Sequence, residues 1–197
     1  MAMRGLAAWV LAGWALPLAA GESVRVGVVV FDTGGRVSSA AQAVMREEAA
    51  RILILDGVRL EWRCKDGLGR GVELDKVVVV RFARGGVAGI ALKSEGGPLG
   101  STDVSDGRVL PFVHIDAERV RGAVFRSRLG RRTDEQLGRA LGRVLAHELY
   151  HALSGSQEHD HEGVAKAALS VDELTGGPLH LGAAARTRLM EALRRAE

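Results

Sequence analysis

The sequence predicts a single α/β (α+β) domain, and three observations carry that expectation. Short β-branched runs alternate with helical patterning in the N-terminal half, one long helix is patterned over residues 133–154, and helical sequence closes the chain. At 197 residues the chain can bury one sizeable core but is short for two ordinary domains. With 47% hydrophobic and 26% charged residues it has the make-up of a globular protein rather than a disordered one.

Residues 1–21 stand ahead of that domain and read as an export signal. Arg4 provides the positive start, residues 6–18 an apolar run, and Ala19, Ala20 and Gly21 a small-residue cleavage site. The run is too short for a membrane anchor and no second one follows. The expectation is a secreted or periplasmic monomer of residues 22–197, without stable membrane insertion.

The elements follow in order. Residues 23–31 (SVRVGVVVF) form a buried strand, and Gly34-Gly35 turn the chain without the Lys-Ser/Thr of a phosphate loop. Ala41, Val44, Met45, Ala49, Ile52 and Leu53 recur at helical spacing, which predicts an amphipathic helix over 38–54 packed on a sheet. Residues 58–64 and 76–83 are further strands, residues 86–92 a candidate strand or long loop, and residues 96–107 irregular. Residues 108–116 (RVLPFVHID) resume strand character, and Pro111, lacking a ladder donor, predicts an edge strand. A short turn around 170–174 and a helix over 182–195 complete the chain.

Cys64 is the only cysteine, which excludes an internal disulfide and suits a structural place at a strand end. The formal net charge is +3, and no Lys/Arg cluster is interleaved with aromatics, so nucleic acid is not expected as a partner. The arginines between Arg119 and Arg132 read as a solvated face.

The chemistry concentrates in AHELYHALSGSQEHDHEG, residues 146–163. Thr133 and Gln136 open the helix with a capping-box pattern, and Ser154-Gly155 stop it. Four residues apart on a helix is one face, so His147 and His151 aim two imidazoles at a common point, a spacing suited to zinc. Glu148 lies one step round the helix, where a carboxylate serves as general base toward metal-activated water rather than as a ligand. A catalytic zinc site needs a third protein ligand. Gly155 lets the chain reverse so that His159 can return to the metal, with His161 and Glu173 as alternatives. Asp160 and Glu162 fit the turn's solvated side, and Ser170 with Glu173 also reads as an ordinary helix start. His114 and His180 read as structural, and Tyr150 as packed away from the ligands.

His147-Glu148-x-x-His151, the glycine turn at Gly155, His159 and then Gly163-Val164 resemble the metzincin-type zincin metalloproteases, in particular small secreted bacterial proteins of minimal form. The resemblance implies a twisted mixed sheet with a backing helix, the His-Glu-x-x-His active-site helix and a C-terminal helix. It also implies zinc-dependent hydrolysis of a peptide or protein extended along an edge strand between Leu110 and Ile115. Two departures stand out. Ser154 and Gln157 occupy the family's glycine and third-histidine positions, and Ala165 follows Gly163-Val164 where the family has a methionine turn. The alternative is a zinc-stabilised extracellular binding or scaffold protein without turnover, with Glu158, His161 and Glu162 crowding the open position.

Overall fold

A computed structural model describes residues 23–32, 34–55, 57–63, 73–83, 97–126 and 133–195. Five strands form one mixed sheet: β1 (Val24–Phe31), β2 (Val58–Arg63), β3 (Lys76–Ala83), β4 (Gly100–Ser105) and β5 (Arg108–Asp116), in the order β2-β1-β3-β5-β4. All neighbours are parallel except β4, which runs antiparallel to β5. Five helices accompany them: α1 (Ser39–Ile52), α2 (Ala117–Arg126), α3 (Asp134–Ser154), α4 (Val171–Thr175) and α5 (Ala183–Arg194).

Strand alternation builds the core. Val26 and Val28 of β1, Val78 and Val80 of β3, and Val113 and Ile115 of β5 point to one face and are fully buried. The helix α3 lies across that face and packs on α1, β5, α5, α2, β4 and α4. Its approach to α1 is unusually close. A Cβ at Gly138 would sit 2.6 Å from the Ala41 carbonyl oxygen, and one at Gly142 would sit 2.8 Å from that of Met45. Two glycines four apart thus make a smooth stripe that lets the helix backbones approach.

A buried arginine ties these layers together. Arg143 of α3 is 1% exposed and donates to Glu48 Oε1 of α1 at 2.8 Å, and to the backbone carbonyls of Glu173 and Gly177 at 2.5 and 2.7 Å. Burial alone would raise the Glu48 carboxyl, but hydrogen bonds from Arg51 and Arg143 outweigh it and hold it below its ordinary range. The helical pattern hid this arginine among apolar neighbours.

Two expectations need correction. Residues 96–107 are not wholly irregular, because β4 forms there and turns into β5 through Asp106 (φ 50°) and Gly107 (φ 75°). An Asp-Gly pair with both φ positive is the type I′ hairpin turn, and its signal stands in the sequence. Consequently β5, with Leu110–Ile115, is not an edge strand: it lies between β3 and β4, and among the described residues β4 is an edge. Pro111 is accommodated because the β3 ladder begins only at Phe112, and because the β4 register shifts between Thr102 and Val104, opposite residues 110–112.

Part of the arginine-rich stretch forms α2, capped by Asp116, whose Oδ1 accepts the Arg119 N–H at 3.0 Å. Val120, Ala123 and Val124 are its buried stripe. The export segment (1–21), Cys64, the candidate strand at 86–92 and the arginines at 127–132 lie outside the described residues. Among the described residues no helix is long and apolar enough to cross a membrane.

Candidate metal centre

The helix α3 is held at both ends, independently of any ligand. Thr133 Oγ accepts the Gln136 N–H, and Gly155 closes the C-terminus in the left-handed conformation at φ 66°. One face of the last two turns carries His147 and His151, whose Nε2 atoms stand 3.1 Å apart. Each ring is oriented from behind by a backbone carbonyl. His147 Nδ1 lies 2.8 Å from the Val164 oxygen and His151 Nδ1 lies 2.7 Å from the Ser156 oxygen. A carbonyl only accepts, so both Nδ1 atoms carry the proton and both Nε2 atoms present lone pairs.

The third imidazole comes from beyond the turn. The His159 ring stacks against His147 at 5.3 Å and meets His151 edge-on at 4.8 Å. The ligand atoms of all three lie within 4.8 Å of one another, and no other His, Cys, Asp or Glu cluster of this kind occurs among the described residues. Gln157 also lines the cavity there.

Two acceptor nitrogens facing each other at 3.1 Å repel unless a proton or a cation lies between them. Burial is the main cause that lowers the His147 imidazole to about 4, with His151 and His159 adding to it against the Val164 bond. Burial lowers His151 as well. At neutral pH no proton bridges the pair, and the donor set fits a metal ion.

The other candidate ligands are engaged elsewhere. Glu173 closes the capping box of α4, accepting from Ser170 N at 2.9 Å, and pairs with Lys166 Nζ at 2.6 Å. Lys166 and Ser170 together lower its carboxyl to about 2. Asp160 Oδ2 accepts the Ala185 N–H at 3.0 Å and Glu162 Oε1 the Ala183 N–H at 3.3 Å. Both carboxylates therefore cap α5, whose own N-cap, Gly182, has no side chain to do so. Glu158 faces Arg188 at 3.7 Å, and the exposed His161 lies outside the cluster. Tyr150 is fully buried, with its hydroxyl accepting from Arg188. His114 meets Asp103 across the β4–β5 pair at 3.2 Å, and the His180 backbone carbonyl accepts the Val164 N–H at 2.9 Å. Val164 and Ala165, where the family pattern has its methionine turn, are fully buried.

Glu148 stands beside the cluster, 5% exposed, and burial pushes its carboxyl up to about 7 against a smaller lowering by Thr102. The Thr102 hydroxyl reaches Glu148 Oε2 at 2.8 Å and the Glu148 carbonyl oxygen at 3.1 Å, leaving Oε1 free of such a bond among the described residues. Gly100 makes room for this carboxylate. A Cβ there would stand 2.9 Å from Glu148 Cγ, Glu148 Oε1 and Val144 Cγ1. Thr102 and Gly100 are the site residues that sequence reasoning missed, because both belong to the unrecognised β4. The Asp-Gly turn and the alternation of Thr102 with Val104 were the available signal.

Two cavities of about 360 and 350 Å³ flank Glu148 and His147. The first lies toward Gly97–Gly100 and the chain after Ala165, the second toward Val104, Val109 and His159. Together they run alongside β4.

No protein-family model matches this sequence, and no curated protein matches it significantly. Among solved structures, archaemetzincin (amzA) from Methanopyrus kandleri superposes with a TM-score of 0.55, over 90% of this chain and 99% of that one. The two sequences are 17% identical. What the chains share at that distance is the fold, a mixed α/β domain.

Proposed function

We propose that this chain is an exported zinc-dependent peptidase. The observation that carries the reading is the pair of deprotonated Nε2 atoms held face to face at 3.1 Å, with His159 completing the set. Three imidazoles suit zinc and leave a coordination position open to solvent or substrate. Asp160, Glu162 and Glu173 are committed to capping and ion pairing, which speaks against a closed structural site. A bound Zn²⁺ supplies Lewis acidity, polarising a carbonyl and bringing the pKa of water to about 7.

The remaining steps belong to the protein. Glu148, anchored through Oε2 by Thr102, presents Oε1 to take the proton of the attacking water and return it to the leaving amine. The outer edge of β4 has no strand partner among the described residues, and an extended peptide adding there lies across both cavities. That edge replaces Leu110–Ile115 as the expected docking strand. The apolar segment at residues 6–18 supports the export part of the proposal.

The test is metal content beside cleavage of an unfolded protein. Glu148→Ala is expected to keep zinc and lose turnover by about a thousandfold or more. Equal cleavage by that variant rules the mechanism out. His147→Ala, His151→Ala and His159→Ala are expected to lose zinc, while His161→Ala and Glu173→Ala retain it.

A further inference from the structure

The cavity toward Gly97 is lined by the apolar side chains of Pro98, Leu99, Val144, Ala168 and Leu169 beside about as much polar surface. Beyond the His147 and Glu148 side chains at its inner end, the one ionisable lining residue among the described residues is Lys166. That ammonium is not a free surface charge. Its Nζ stands 2.6 Å from Glu173 Oε1, and Glu173 is itself locked by Ser170, which donates to Oε2 from both its N–H and its hydroxyl at 2.9 Å. Glu173 positions the lysine from behind without lining the cavity. An ammonium has three donors and Glu173 takes one. The cavity therefore meets the positive end of the pair.

We infer that this cavity selects a substrate side chain with an apolar stem and an anionic end, glutamate being the fitting residue, through Lys166. The inference rests on the peptidase reading of the adjoining metal centre. A volume of about 360 Å³ accommodates such a side chain whole. The apolar lining side chains take its methylenes, and the carboxylate completes a charge-assisted bond that a leucine cannot make. A lysine or arginine there would face the Lys166 ammonium, so rejection of basic side chains follows from the same geometry.

The strand direction of β4 says which substrate residue is read. Glu148 and His147 line both cavities, the Gly97 cavity lies at the start of β4, and the other lies toward its end. A peptide pairing antiparallel to β4, the more stable mode, runs toward the Gly97 end. The selected side chain is then the one that follows the scissile bond.

The experiment uses zinc-loaded protein and peptides identical except for Glu, Gln, Leu or Lys immediately after the scissile bond. The wild type is expected to favour Glu over Leu in kcat/KM by about tenfold, with Lys poorest, and the preference to shrink as salt is raised. Lys166→Met is expected to abolish that ratio and Lys166→Arg to keep it. The same ratios are read independently as Kd, with peptides whose scissile bond is reduced and uncleavable. A wild type that favours Leu, or an unchanged Glu/Leu ratio in Lys166→Met, overturns the inference while leaving the peptidase reading standing. A wild type that hydrolyses none of the peptides removes both.

Discussion

At the scale of single residues, Glu148 and His147 pull the pH dependence of the metal-free protein in opposite directions. The Glu148 carboxyl is raised to about 7, so the fold binds its proton more tightly than the unfolded chain does. Its stabilising contribution is present below its ordinary value near 4.5 and is lost as pH rises toward 7. His147 is depressed to about 4, so the unfolded chain binds the proton first and stability is lost as pH falls from 6.5 toward 4. The two effects nearly cancel in the wild type. Glu148→Gln exposes the imbalance, and its stability relative to wild type is expected to grow by on the order of 3 kcal/mol between pH 4 and 8, read by denaturant unfolding in chelator. Under the proposed mechanism the acid limb of hydrolysis falls where Glu148 takes up its proton. Thr102→Val removes a hydrogen bond that lowers this carboxyl, so the limb is expected to move to higher pH.

Elements explain why some of this was readable and some was not. The helix α3 declares itself, since Thr133, the apolar stripe and Gly155 mark its start, buried face and end, and its period places His147 and His151 together. Capping and periodicity are local, so one segment suffices to read them. Thr102, Gly100 and Arg143 are different, because their roles arise from contacts with residues 46, 48 and 95 positions away. Pro111 misled for the same reason: a missing donor marks an edge or a bulge, and only the neighbouring strand decides which. The glycine stripe of α3 offers a test at this scale. Gly138→Ala gains about 1 kcal/mol of helix propensity but drives a Cβ to 2.6 Å from the Ala41 carbonyl, which cannot swing away. Overpacking of this kind costs about 1–3 kcal/mol, so net destabilisation is expected in thermal or urea unfolding.

For the whole molecule, the site is an assembly of parts distant in sequence. Strand β4 supplies Thr102, α3 Glu148 and two imidazoles, and the segment after Gly155 the third imidazole and both orienting carbonyls. Arg143 and Glu48 clamp α1, α3 and the end of α4 beneath them. Arg143→Met is expected to cost about 3 kcal/mol and to lower the melting temperature with or without zinc, since the clamp does not touch the ligands. The alternation of β-branched runs with helical patterning, together with the α3 pattern, made the fold class legible. Which strand lay at the edge required the complete sheet.

The carboxylates that cap α5 give the C-terminal helix a stake in what happens at the metal. Asp160 adjoins His159 in sequence, and the bond it accepts from Ala185 spans 25 residues. Holding His159 in place therefore also holds the anchor of α5, and releasing it loosens the start of that helix. The amide protons of Ala183 and Ala185 become remote reporters: their hydrogen-exchange protection should rise on zinc loading and fall on chelation, and in His159→Ala it should stay low whether or not zinc is added.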